Sequence, residues 1–224
     1  MFNNTAFASA QALGVNSAWD FFQPYADFDV DFLYNALFCD NLSLFRRDRP
    51  LAEREPWCHV LDDPPSAQIL QALAGDELQP SRLRALACHR LRTIGHAMEG
   101  PLLLGIVVEL PHAQSQETLA AYADGRVHFI RHSGATASFD GDAENVSKRA
   151  RKLVGAAQRM AGQFNAAQPR RDAPPAGGNV RITLLTGTGL FSVEGRFNAL
   201  QKDPFAGPVL GNAIWLLQAH AQQG

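Results

Sequence analysis

The sequence predicts an α+β protein: a helical N-terminal region, then β-β-β-α-β-β-α, with an antiparallel sheet covered by helices. Two observations carry this. Up to about Gly100 apolar residues recur at helical spacing, and beyond it the period falls to two. The chain also has 224 residues, 46% of them hydrophobic, which is enough to fill one large core and excludes a disordered chain.

Each element has a local reason. Asp29 is expected to cap a helix over Val30–Phe38, with Phe32, Leu33, Leu37 and Phe38 at helical spacing. Pro64, Pro65 and Ser66 open a second helix whose apolar positions Ile69, Leu70 and Leu73 precede Gly75. Ser81 is expected to cap a third, Arg82–Met98, stopped by Gly100 and Pro101, with Leu83, Leu86, Leu91, Ile94 and Met98 along one face.

Leu102–Leu110 reads as a strand. Thr118–Ala123 and Arg126–Arg131 flank Asp124-Gly125, a type I′ hairpin signal. A two-residue loop pairs Tyr122 with Val127 and Ala120 with Phe129, giving one apolar face. Leu119, Ala121, Arg126, His128 and Ile130 then share a mixed face. Ala135–Phe139 adds a further strand to this meander.

Asp142 is expected to cap a helix to about Ala167, with Val146, Leu153, Ala157, Met160 and Phe164 as its buried stripe. Gln168–Asn179 has linker composition. Val180–Leu185 and Leu190–Val193 form a second hairpin, and Pro208 starts a last helix through His220. Residues 1–99 and 100–224 are thus a helical region and a sheet region, expected to pack as one unit with helices on one face of about five strands.

This element order resembles the small regulatory α+β architectures of the profilin, longin and roadblock kind. The stretch LAAYADGRVHFIRHSG, Leu119–Gly134, is similar to a segment of uncharacterised bacterial proteins, a likeness covering roughly residues 100–217. It implies neither an activity nor a catalytic residue.

Charge is uneven. Residues 1–80 hold 12 acids and 4 bases, whereas residues 81–173 hold 13 bases and 8 acids. The total of −2 excludes a globally basic nucleic-acid protein. Two helices concentrate the positive charge: Arg82, Arg84, Arg90 and Arg92 on one, and Lys148, Arg149, Arg151, Lys152 and Arg159 on the other. The first helix has no acid, and the only acid of the second, Glu144, lies in its first turn, where the helix dipole favours it. Arg82, Arg90, Arg92, Lys148, Arg151 and Lys152 are therefore candidate contacts for a protein partner, or for the chain's own acidic N-terminal third. In that third, nine of the chain's 20 aromatics fall within Trp19–Phe45, interleaved with aspartates. Nucleic acid is the disfavoured third reading.

Three cysteines, Cys39, Cys58 and Cys88, form no CxxC pair and no disulfide framework. Neither Cys58-His59 nor Cys88-His89 has the spacing of a metal-ligand pair, because adjacent residues diverge on a helix. His128 and His132 would stand ~13 Å apart on an extended strand, too far to share an ion. Gly187-Thr188-Gly189 precedes a strand rather than a helix, so it does not cradle phosphate. No metal and no cofactor are expected.

Arg126, His128 and His132 on the mixed hairpin face remain as a candidate small-ligand site, the alternative being a binding protein or enzyme working there. No signal peptide is legible, and Leu102–Val108 and Val209–Leu217 fall short of the ~20 residues a membrane span needs. The expectation is a cytoplasmic, non-catalytic interaction or regulatory protein with a protein partner and no membrane partner; self-association stays open.

Overall fold

The computed structural model describes residues 21–221, apart from 97, 99, 101, 113, 114, 142, 165, 166, 169 and 170. Six helices come first: α1 (Phe28–Ala36), α2 (Leu42–Arg47), α3 (Arg49–Ala52), α4 (Trp57–Leu61), α5 (Ala67–Gly75) and α6 (Ser81–Thr93). Four strands follow, β1 (Leu103–His112), β2 (Ser115–Tyr122), β3 (Val127–Ile130) and β4 (Thr136–Phe139), then α7 (Glu144–Ala161). The chain ends with β5 (Asn179–Thr186), β6 (Gly189–Arg196), α8 (Phe197–Lys202) and α9 (Ala206–Ala221).

The sheet is antiparallel throughout, in the order β4-β3-β2-β1-β5-β6. Both of its faces are covered, not one. Leu104, Val107, Ala120, Tyr122, Ile130 and Leu185 pack against the N-terminal helices. Ile106, Val108, Leu119, Ala121, Val127, Phe129, Ile182 and Leu184 pack against α7, α8 and α9. The alternation along each strand feeds two separate apolar layers, because successive side chains point to opposite faces.

Several boundaries move for identifiable reasons. Asp27, not Asp29, caps α1, accepting from the backbone N–H groups of Asp29 and Val30 at 2.8 and 3.1 Å. Asp29 sits in the first turn, where the helix dipole favours it. Helix α6 ends at Thr93 rather than Met98, in a Schellman arrangement. His96 N–H donates to Leu91 O and Gly95 N–H to Arg92 O, with Gly95 at φ 81°. Ser81 is inside α6 and exchanges hydrogen bonds with Asp124 of the β2–β3 turn: Ser81 N–H to Asp124 Oδ2 (2.8 Å) and Asp124 N–H to Ser81 Oγ (3.0 Å). Asp142, the expected cap of α7, lies outside the described residues. Helices α2, α3 and α4 span four to six residues each, too short to show a helical period, and Pro50 and Pro56 punctuate them.

The hairpin at Asp124-Gly125 exists, but its register is shifted by one. Ala121 pairs with Val127, Ala120 with His128 and Leu119 with Phe129. The loop is the three residues Ala123, Asp124 and Gly125, a turn closed by Gly125 N–H to Tyr122 O, with Gly125 at φ 93°. A Cβ at Gly125 would meet Arg151 and Ser147 of α7 at 3.0 Å, so glycine is required there twice over. The slip moves every side chain of β3 to the face opposite the one expected.

Candidate functional site

A groove of about 880 Å³ opens between the N-terminal half of α7, the C-terminal half of α9 and the sheet end formed by β3 and β4. Its construction begins with α7. Ser147, Ala150, Leu153, Val154, Ala157, Met160 and Ala161 are buried and recur at three- and four-residue steps. That seats one face on the sheet and leaves Lys148, Arg151 and Lys152 outward and exposed. Helix α9 supplies Trp215, Leu216 and Ala219, and the strands supply Phe129 and Phe139, whose rings meet edge-on at 5.9 Å.

The result is an apolar floor under a cationic rim. Arg149 lies over the Trp215 ring, 3.9 Å from its centroid, and holds an aromatic that is 41% exposed. Arg151 donates to Asp124 O at 3.0 Å. Among the described residues no carboxylate lies within ion-pair distance of Lys148, Arg149, Arg151 or Lys152, and none lines the groove. Apolar contact together with uncompensated positive charge suits an anionic ligand that also carries an apolar group.

The arginines of α6 are placed differently. Arg82 donates to Ala36 O (3.1 Å), Arg84 to Ala74 O (3.1 Å), Arg90 to Asp62 O (3.2 Å) and Arg92 to Gly187 O (2.9 Å). Three of these carbonyls belong to the C-terminal ends of α1, α5 and α4, where helices leave acceptors unsatisfied. Arg90 also pairs with Asp63 at 3.3 Å. This basic helix thus docks the acidic N-terminal third of its own chain, and Arg82, Arg90 and Arg92 do not reach the groove.

Nor are Arg126, His128 and His132 gathered into one pocket. Arg126 precedes β3 and pairs with Asp124 at 2.8 Å. His128 is buried at 7% exposure beneath the N-terminal layer, its Nδ1 2.8 Å from Ser138 Oγ and its ring edge-on to Tyr122. Burial, reinforced by the Arg82 charge, pushes its pKa down to about 3. His132 lies past the other end of β3, beside Glu117.

On the face covered by α1–α6, a polar cluster ties helices, sheet and Arg171 together. Tyr34 OH donates to Glu109 Oε1 at 2.6 Å, and Glu109 is fully buried. Arg171 donates to Asn35 Oδ1 (2.9 Å), sits 3.2 Å from Asp40 Oδ2 and lies 4.0 Å from the centre of the Phe38 ring. Burial raises the pKa values of Asp40 and Glu109, with Arg171 pulling both back down. These groups pair with one another and act as a clamp. Cys39 and Cys88 are likewise buried, which pushes the Cys39 thiol up to about 11 and raises that of Cys88, suppressing thiolate chemistry, whereas Cys58 is half-buried.

Sequence reasoning reached Lys148, Arg151 and Lys152 through their charge but missed Phe129, Phe139 and Trp215 as their companions. The one available signal was Trp215, a large aromatic in a final helix that is otherwise mostly small and aliphatic. Among the described residues no helix is long and apolar enough to cross a membrane. Compared with known proteins, the chain matches no family model, no curated protein and no solved structure.

Proposed function

We propose that this protein is a non-catalytic interaction module whose α7–α9 groove takes an acidic polypeptide segment bearing a large apolar side chain. The supporting observation is the groove itself: four basic side chains with no carboxylate partner among the described residues, around a floor of Phe129, Phe139, Val146, Trp215 and Leu216. A nucleic acid would use the same charge but would need open aromatic faces for stacking, and Arg149 occupies one face of Trp215. The apolar floor favours a side chain over a phosphate backbone.

The test uses a fluorescein-labelled peptide of alternating Glu and Phe with the full chain, followed by anisotropy. Charge reversal in the double variant Lys148→Glu, Lys152→Glu should weaken binding at least ~10-fold, and added salt should weaken it in the parent. Trp215→Ala should weaken binding without changing the salt slope. Binding unaffected by either variant, or no binding by the parent, removes this reading.

A further inference from the structure

A second constellation lies away from the groove, at the rim of the sheet. His112 ends β1, Glu117 is in β2 and His132 follows β3, so three neighbouring segments each contribute one side chain. The nitrogen and oxygen donors of the three all lie within 4.8 Å of one another. His132 Nδ1 is 3.2 Å from Glu117 Oε1, and the imidazoles of His112 and His132 stack with centroids 3.6 Å apart at 20°. Antiparallel pairing explains the convergence. Leu110 pairs with Glu117 and His112 with Ser115, so His112 and Glu117 are diagonal neighbours on one face. The β2–β3 register, with Thr118 opposite Ile130, then brings the residues just beyond β3 alongside Glu117.

We propose that His112, Glu117 and His132 bind a first-row divalent transition metal, with Zn²⁺ as the simplest occupant. Two imidazoles and one carboxylate are a donor set for such an ion, whereas Ca²⁺ and Mg²⁺ prefer oxygen ligands. Bonds of about 2.0–2.2 Å in a tetrahedron place ligand atoms about 3.3–3.6 Å apart, so the widest donor pair closes by about 1 Å on binding. His112 and His132 are exposed, which leaves their rings free to turn from stacking toward a common ion. Three protein ligands leave a coordination position for water or an external donor. Arg131, 3.4 Å from the same Glu117 oxygen, fixes the carboxylate's direction as outer partners of ligands do, while its charge moderates affinity for a cation.

The full chain, freed of metal by a chelator, is titrated with Zn²⁺ by calorimetry, and the visible absorption of Co²⁺ reports the coordination geometry. One equivalent should bind. His112→Ala and His132→Ala should each weaken binding at least ~10-fold. His59, within 4 Å of Glu55 and Asp62 and next to Cys58, is the competing surface site, so His59→Ala and Cys58→Ser should leave the stoichiometry at one. Both ligand histidines are exposed, and unchanged thermal unfolding of the metal-free variants checks that the fold is intact. Failure of the parent to bind, binding retained in the double variant His112→Ala, His132→Ala, or loss on removing His59 or Cys58 overturns the proposal.

Discussion

Helices α6 and α7 carry comparable runs of basic residues, yet the fold uses them in opposite ways. Helix α6 packs on β1 and against α4 and α5, so its buried surface extends nearly all round, from Leu83 and Arg84 to Leu91. Its arginines cannot all reach water, and the short helices around it end in carbonyls that need donors. Arg82, Arg84 and Arg90 meet that need. Helix α7 rests on the sheet by one face with α9 beside it, and among the described residues no carboxylate pairs with Lys148 or Lys152. A basic helix therefore becomes an internal brace or a docking surface according to how many of its sides are covered.

That contrast can be broken first at its most buried point. Arg171→Ala should cost about 3 kcal/mol, because it strips the half-buried Asp40 carboxylate of its partner and frees the Phe38 face. Urea unfolding followed by near-UV dichroism measures it. A loss below ~1 kcal/mol would mean the N-terminal layer is not held by this clamp.

Acid should expose the same layer. His128, at about 3 when folded against about 6.5 when free, binds fewer protons in the native than in the unfolded chain between those values. Stability is therefore lost as pH falls through that window, on the order of 3 kcal/mol by about pH 4. His89, pushed down to about 4 by burial with Arg92 and Arg90, acts in the same direction. Asp31, Asp40 and Glu109, raised by burial, act oppositely and favour the fold as pH drops. The informative quantity is thus the difference from the parent: His128→Leu should unfold at lower pH, with Ser138 left to solvent.

Arg84→Ala sharpens the helix comparison more directly. Losing its bond to Ala74 O should cost about 1–3 kcal/mol. The smallest effect belongs to α7, where Lys148→Ala and Lys152→Ala should each stay within about 0.5 kcal/mol in thermal unfolding. Equal costs on the two helices would dissolve the distinction.

Some of this was legible in the residues. Ser66 caps α5 as its spacing before Ile69 suggests, with Ser66 Oγ accepting from Ile69 N–H. The turn at Gly187-Thr188 joins two strands, and Asp124-Gly125 closes a hairpin. What failed was register. Asp124 is engaged at once by Ser81 and Arg126, and its carbonyl by Arg151, so partners distant in sequence select a three-residue loop over the two-residue one. That slip turns His128 beneath the N-terminal layer, while the length of β3, with Arg126 before it and His132 beyond its other end, holds the three expected residues apart. The sites were legible only as ingredients: the charges of α7 without the aromatics that complete the groove, and His132 without His112 and Glu117.

Local chemistry alone determined the change from helix to strand near Gly100, the α+β class, the turn positions and the amphipathic stripe of α7. Those depend on backbone preference and periodicity, which act over a few residues. Tertiary structure decided that both faces of the sheet are covered, which basic helix faces solvent, and that His112, Glu117 and His132 meet. Each of these depends on which strand lies beside which and in what register, and that is fixed by packing and hydrogen bonds between segments tens of residues apart.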